Sequence, residues 1–373
     1  MFFPQICTNL ALYYQEIDTK MLTTTFNQLG EIFRVASNDT TQSTDSTLST
    51  YIDKFKYLVG YCQHTNGWFT PEFVKMQYSS LANMLQHSSL EQFENRYNLK
   101  NIGFKDVVVK LIPAGNIPLV CFHDIFCILA SGCRLLIKPS SKDKVLTLAV
   151  LETLTSLMPA LKERITIEDG KPMPFDAIIA TGSNNSSRYF DYYFAKYPHI
   201  IRRNRNSVAV VTGEETANDY AMLANDIFSY YGLGCRSVSK IYVPANYNYD
   251  TLFSQIIHKC EVGHNPKYSD NYVYNKAIYL MNGDKFLDNN FLIVKEDKSI
   301  NSPIGVLFAE RYTTIDELTN ELKSLNDSLQ CVVCSTPLQD INTVRPGMAQ
   351  NPSIFDFADG IDTMQFLIEL HRQ

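Results

Sequence analysis

Residues 107–140 read VVVKLIPAGNIPLVCFHDIFCILASGCRLLIKPS, and this stretch decides the fold. An apolar, β-branched run at 107–112 ends in a turn, an apolar helical pattern follows at 118–130, and residues 135–137 form a second short apolar run. Neither run alternates apolar with polar residues. Strands of that kind, joined by a helix, are typical of a parallel sheet covered on both faces.

The same order of elements continues along the chain. Residues 145–158 predict a helix, and residues 175–180 predict a third buried strand. In a doubly wound sheet, ligands bind beyond the carboxyl ends of the strands. Three of the predicted strand ends carry Asn116, Lys138 and Ser183.

A helical piece precedes this sheet. The first 50 or so residues predict a helix followed by a polar loop at 37–49. Apolar residues then recur at helical spacing over 51–97, with interruptions at 66–67 and Pro71, so we expect two or three further helices there.

A second α/β series follows the first. Its strands include 208–211 and 240–243, a helix is expected over 218–231, and residues 277–280 are counted among the later elements. We therefore expect an α/β protein in three parts: residues 1–206 (helical piece and doubly wound domain), 207–340 (second α/β domain) and 341–373 (a C-terminal segment returning to the first domain or forming an oligomer contact).

Composition excludes several classes of protein. The 373 residues are 45% apolar and contain 22 Tyr and 22 Phe, which is too many for a disordered chain. The net charge of −6 gives no electrostatic footprint for nucleic acid, and no run of about 18 apolar residues suggests a membrane span. Nine scattered cysteines do not form a disulfide framework, so we expect a cytoplasmic protein with mostly buried thiols.

Cys235 is the cysteine with the most distinctive surroundings. It follows Gly232 and Gly234 and stands directly before a predicted strand. Glycines permit close backbone approach, N–H groups in such a turn can face an oxyanion, and the neighbouring Arg236 favours a thiolate. The pattern fits a nucleophile, and it also fits a buried cysteine in a tight turn.

Four segments in order resemble the aldehyde dehydrogenase superfamily over roughly residues 105–340. Residues 232–243, GLGCRSVSKIYV, resemble its catalytic cysteine segment. Residues 116–119 resemble its Asn-Phe-Pro-Leu segment, 135–140 its Lys-Pro-Ser segment, and 180–183 its Phe-Thr-Gly-Ser turn. The resemblance implies an aldehyde dehydrogenase-like fold, with a Rossmann-type cofactor domain and an α/β catalytic domain.

One departure points to a branch of that superfamily. Hydrolytic aldehyde dehydrogenases carry a Glu that activates water, and the corresponding position here is Arg202. Together with the front segment at 66–71, the chain resembles the LuxC-like fatty acyl-CoA reductases. The resemblance implies reduction of an acyl thioester, from acyl-CoA or an acyl-protein, to an aldehyde.

The resemblance also implies a mechanism. Cys235 would attack the thioester, and hydride from a nicotinamide cofactor would reduce the acyl-cysteine to a thiohemiacetal that releases the aldehyde. The side chain of Asn116 and the backbone N–H of Cys235 would stabilise the oxyanion. The expected cofactor contacts are Lys138, Ser140, Thr181, Gly182 and Ser183, and no metal is expected.

Cofactor and partners follow from the same resemblance. NAD-preferring relatives place Glu after Lys-Pro-Ser, whereas this chain has Ser141 followed by Lys142, so we expect NADPH in preference to NADH. We expect a homo-oligomer and allow for an acyl-transferring protein partner. Two alternatives stay open: a CoA-acylating dehydrogenase that oxidises aldehydes, and a catalytically silent subunit of an acyl-transfer complex.

Other features have structural explanations beside functional ones. The pair Cys331 and Cys334 has redox spacing, but we expect a buried strand. His123, next to Asp124, could face the active site, or it could be a satisfied helix histidine. The basic residues at 202–205 fit either a phosphate contact or a solvated surface.

Overall fold

The computed structural model describes residues 19–38, 45–102, 105–182 and 184–370. The described N-terminal part is helical: the elements are α1 (Thr19–Ser37), α2 (Ser49–Thr65), α3 (Pro71–Met84) and α4 (His87–Tyr97). Their shared core includes Phe33, whose ring lies 5.3 Å from Phe55 and 5.0 Å from Tyr78. The sequence predicts two or three helices over 51–97, and the structure has three there. Part of the polar loop expected at 37–49 lies outside the described residues.

The first sheet has five parallel strands in the order β3-β2-β1-β4-β5. The strands are β1 (Val108–Ile112), β2 (Arg134–Ile137), β3 (Ile165–Ile167), β4 (Ala177–Thr181) and β5 (His199–Arg202). The helices between them are α5 (Phe122–Ala130), α6 (Lys144–Leu157) and α7 (Asn184–Phe194). The predicted doubly wound unit is confirmed, with β3 and β5 added at its edges.

Strand order reverses at β1, which lies between β2 and β4. The connections that follow two neighbouring strands therefore turn to opposite sides of the sheet. A crevice opens between them at the carboxyl ends of the strands. Asn116 follows β1, Lys138 follows β2, and Thr181 ends β4 opposite Arg202 of β5. Register thus brings these side chains to one edge of the sheet.

The second sheet has seven strands in the order β12-β11-β6-β7-β10-β9-β8, of which only β8 is antiparallel. The strands are β6 (Asn206–Val210), β7 (Val238–Pro244), β8 (Leu287–Asp288), β9 (Ile293–Glu296), β10 (Val306–Tyr312), β11 (Leu329–Cys334) and β12 (Thr343–Val344). The helices are α8 (Ala217–Phe228), α9 (Tyr249–Ile256), α10 (Pro266–Asn282) and α11 (Ile315–Ser324). Residues 277–280 lie within α10.

The C-terminal segment contacts both domains: β12 pairs with β11 in the second sheet, and the last helix packs on the first domain. Its helix α12 (Thr363–Glu369) contacts α5, and Met364 and Leu367 are buried in the core shared by the front helices and the first sheet. Upstream, the buried carboxylate of Asp226 accepts backbone hydrogen bonds from Gly347 at 2.6 Å and from Ala349 at 3.1 Å. No helix in the described ranges is both long and apolar enough to cross a membrane.

Candidate active site

Cys235 lies in an irregular turn between α8 and β7. The helix predicted to reach residue 231 ends at Phe228, because Tyr230, Tyr231 and Gly232 adopt left-handed conformations with φ of 54°, 56° and 78°. Such a conformation costs a non-glycine residue about 1–2 kcal/mol. It persists only where the surroundings hold it, and this combination is typical of functional sites.

Contacts with the front helices hold the two tyrosines. The Tyr230 hydroxyl donates to Gln77 Oε1 at 2.8 Å, from helix α3. The ring of Tyr231 packs edge-on against Phe73, 4.9 Å between centroids, and lies 5.4 Å from Trp68. The front helices therefore fix the backbone that presents Cys235.

A cavity of about 130 Å³ opens at Cys235. Helices α3 and α5, the turn around Cys235 and residues 350–358 form its walls. His123, Asp124 and Arg202 also line it. A larger polar cavity of about 770 Å³ adjoins it, since Arg236, Gln330 and Asp356 line both.

Cys235 is partly exposed and forms no disulfide in the described part of the chain. Burial raises the pKa of the Cys235 thiol above its ordinary value. The guanidinium groups of Arg236 and Arg202 act in the opposite direction, and Asp359 adds to the increase in pKa. The expected effect of Arg236 is present, but burial outweighs it, so the thiol is mainly protonated at neutral pH.

Asn116 is close to the Cys235 turn. Its Nδ2 donates to the carbonyl of Leu233 at 2.7 Å, two residues before Cys235. Its Oδ1 is buried without a hydrogen-bond partner among the described residues. One N–H of the amide therefore positions the turn, and the second N–H is the group that an oxyanion contact would require.

The residues expected to hold the cofactor lie at the sheet edge described above. Lys138 is exposed, while Ser140 and Thr181 are partly exposed. Gly182 precedes α7, and a Cβ there would lie 2.8 Å from Ser186 Cβ, so only glycine permits this close helix packing. Ser183 lies outside the described residues.

Arg202 does not join a phosphate-binding cluster. It is 5% exposed, and its Nη2 donates to Asp124 Oδ1 at 2.8 Å and to Thr363 Oγ1 at 2.9 Å. Arg203 instead pairs with Asp191 on the surface, and Arg205 donates to the Leu329 carbonyl at 3.0 Å. No local pattern in the sequence indicates that Asp124 is the partner of Arg202.

The structure also shows where the cysteine pair and His123 lie. Cys331 and Cys334 are both buried in β11 and belong to different hydrophobic clusters, as a strand with alternating faces requires. His123 both lines the cavity and hydrogen-bonds through Nε2 to the Ile354 carbonyl at 2.8 Å. In the described ranges, no group of three His, Cys, Asp or Glu side chains could hold a metal ion.

Solved structures with the same architecture include aldehyde dehydrogenases. Aldehyde dehydrogenase 21 of Physcomitrella patens is 12% identical with a TM-score of 0.63, covering 92% of this chain and 84% of that one. An NAD-dependent aldehyde dehydrogenase of Sinorhizobium meliloti is also 12% identical with a TM-score of 0.63, covering 87% and 73%. An E. coli NADP-dependent enzyme is 13% identical with a TM-score of 0.59, covering 85% and 75%. The fold is therefore that of the aldehyde dehydrogenases, as the four segments predicted.

A comparison with protein-family models assigns the chain to one family within this fold. Residues 79–261, about half of the chain, match the model of the LuxC acyl-CoA reductases. The chain belongs to this family, which confirms the resemblance seen in the sequence. No curated protein sequence matches the chain.

Proposed function

We propose that this protein reduces an acyl thioester to the aldehyde through an acyl-cysteine at Cys235. The proposal rests on two features together: a partly exposed Cys235 in a cavity wall, and the absence of a water-activating carboxylate at the position of Arg202. Cys235 opens on a cavity, and the position of the water-activating Glu of hydrolytic relatives is taken by Arg202. Because Arg202 is ion-paired with Asp124, neither side chain is free to act as a base toward water.

The chain's own residues supply the acyl-transfer chemistry. The Cys235 sulfur attacks the thioester carbon, and the donor leaves as a thiol. An oxyanion formed in that attack would receive N–H bonds from Cys235 and from the second N–H of Asn116, a contribution of about 3 kcal/mol for each donor. Apolar side chains of α3 and α5, among them Leu81, Met84 and Phe122, line the cavity beside Cys235.

The sheet edge fits a nicotinamide cofactor. It offers an exposed Lys138 beyond β2 and a glycine-packed start of α7, the kind of helix terminus that binds phosphate oxygens. When bound there, the cofactor supplies the hydride that the reduction needs. Lys138 would hold the adenosine ribose, while Ser140, Thr181, Gly182 and Ser183 would position the phosphate-bearing part.

We propose NADPH as the preferred cofactor. Ser141 and Lys142 are exposed just beyond β2, so no carboxylate stands there and a cation is near the place of a 2′-phosphate. Lys142→Ala should raise the Kd for NADPH several-fold and leave the Kd for NADH unchanged. Lys144→Ala, another exposed lysine two residues on, is the matched control. Equal effects of Lys142→Ala on both cofactors would contradict this preference.

Turnover tests the proposed reaction. The protein, mixed with acetyl-, octanoyl- or myristoyl-CoA and NADPH, should consume NADPH and release aldehyde. Cys235→Ala should abolish both, whereas Cys260→Ala, which removes an exposed thiol elsewhere, should leave the rate unchanged. Full turnover by Cys235→Ala would refute the mechanism. Free acid formed without CoA would favour an oxidising dehydrogenase instead.

The acyl donor is a further part of the proposal. It is an acyl-CoA or an acyl-protein, delivered in the second case by an acyl-transferring partner. Transfer from a purified acyl carrier protein, measured against acyl-CoA at equal concentration, separates the two donors.

A further inference from the structure

His123 is a titratable group in the wall of the Cys235 cavity that the proposed chemistry does not yet use. It lies in the first turn of α5 and is held on two sides. Its ring is nearly parallel to Phe126, 6.3 Å between centroids, and lies 5.1 Å from Phe357. The ring orientation is therefore fixed by packing.

The hydrogen bond at Nε2 determines the tautomer. Nε2 lies 2.8 Å from the Ile354 carbonyl oxygen, and a carbonyl can only accept. Nε2 therefore carries the proton, and in the neutral ring Nδ1 is an acceptor. Among the described residues Nδ1 has no hydrogen-bond partner, and His123 as a whole is only partly buried.

His123 and Cys235 line the same cavity of about 130 Å³. They also share charged neighbours, because Arg202 and Arg236 influence the pKa of both side chains. General acid–base catalysis works at hydrogen-bond distance or through a single water. The proton transfer proposed below would run across this cavity, either directly or through one water.

Acyl transfer needs a proton carrier here. Burial keeps Cys235 mainly as the thiol, so its proton must leave when sulfur attacks. The donor sulfur, in turn, departs as a thiolate and needs a proton. One base that takes the first proton and gives it to the second sulfur balances the step without any other reactant.

Burial keeps the His123 ring neutral. Burial lowers its pKa below the ordinary value; Asp124 and the Ile354 carbonyl counteract this, and the cations Arg202 and Arg236 reinforce it. The remaining titratable neighbours are Cys127, whose Sγ is 3.9 Å from Nε2, and Asp356 in the cavity wall. The ring is therefore an available base at neutral pH.

We propose that His123 accepts the Cys235 thiol proton at Nδ1 and delivers it to the sulfur of the departing donor. The bond between Cys235 sulfur and the acyl carbon forms as the bond between that carbon and the donor sulfur breaks, and no electrons are exchanged. The inference rests on the proposed acyl-cysteine chemistry and deepens it.

Single-turnover acylation tests this role without any nicotinamide cofactor. Octanoyl-CoA is mixed with excess protein, and released CoA is followed by chromatography between pH 6 and pH 9. His123→Gln can still donate to the Ile354 carbonyl but cannot carry a proton, and we expect its rate to fall at least about 100-fold. His258→Gln, an exposed histidine that also bonds a carbonyl, is the matched control.

The pH profile separates proton transfer from a structural role. The wild-type rate should level off above pH 7, because His123 is then fully neutral. The His123→Gln rate should rise about tenfold per pH unit, following the thiolate fraction of Cys235. Imidazole in the buffer should restore acylation to His123→Ala.

The outcomes distinguish the two proposals. If the wild-type protein releases no CoA from octanoyl-CoA and also takes no acyl group from acyl carrier protein, the proposed function fails. If the wild type is acylated and His123→Gln matches it in rate and profile, only the role of His123 fails. Should the variant not fold, a wild-type rate that climbs tenfold per unit from pH 6 to pH 9 would also overturn it.

Discussion

Replacing Asp124 by Asn removes the only carboxylate that pairs with Arg202 in the described structure. Each of the two residues is 5% exposed, and the two carboxylate oxygens meet the two Nη atoms in a forked geometry. Removing one partner from a buried pair costs about 3–5 kcal/mol, because the other charge stays buried without compensation. We expect Asp124→Asn to lower the free energy of unfolding in urea by that amount.

Two further variants isolate the effect of burial. Asp106→Asn breaks an ion pair with Arg134 in which the side chains are 77% and 41% exposed, and we expect a loss of about 1 kcal/mol or less. The double variant Asp124→Asn/Arg202→Met removes both buried charges and should recover much of the loss. If Asp124→Asn costs no more than Asp106→Asn, the buried pair does not stabilise the cavity wall.

The remaining predictions concern the turn, the sheet edge and the C-terminal segment. Gly232 and Gly170 have φ of 78° and 81°, so replacing either by Ala should destabilise the fold by about 1–2 kcal/mol. Only Gly232→Ala should also slow acylation of the protein by octanoyl-CoA. Equal acylation rates in the two variants would contradict a role for the Cys235 turn. Burial raises the pKa of Asp143 to about 8, so the fold favours its neutral form and loses stability as pH rises from about 4 to 8. The difference in Tm between Asp143→Asn and the wild type should therefore shift in favour of the variant as pH rises from 5 to 8. A Tm difference that stays constant over this pH range would contradict the prediction. In Asp226→Asn, one of the two accepting oxygens is replaced by an amide group that faces a backbone N–H donor. We expect the free energy of unfolding in urea to fall by about 1–3 kcal/mol. An unchanged free energy of unfolding would contradict an anchoring role for the carboxylate.

The central strands could be predicted because each consists mainly of consecutive apolar residues, with Lys110 as the exception inside β1. Strands β1, β2 and β4 are buried on both faces, so consecutive residues along each strand are mostly apolar. Strands β3 and β5 were missed because edge strands are short and half exposed, which leaves no such run. Residues 277–280, counted from the sequence among the later elements of the second α/β series, belong to helix α10. The apolar residues of this helix are largely exposed.

The turn that carries the proposed nucleophile Cys235 could also be predicted, because glycines and a following strand surround it in the sequence. Asn116 was expected beside it from the family resemblance, and the structure places Asn116 against the same turn. Other contacts around the site could not be predicted, since they join distant segments. Arg202 meets Asp124 78 residues away, and His123 meets Ile354 231 residues away. Left-handed tyrosines at 230 and 231 also give no local signal, because their conformation depends on contacts with the front helices.

The most direct test of the proposed chemistry is the intact mass of the protein after exposure to octanoyl-CoA without cofactor. We predict a single octanoyl adduct on the peptide containing Cys235, which disappears when NADPH is added and octanal is released. No adduct, an adduct on another cysteine such as the exposed Cys260, or an adduct that NADPH leaves in place would contradict reduction through an acyl-cysteine at Cys235.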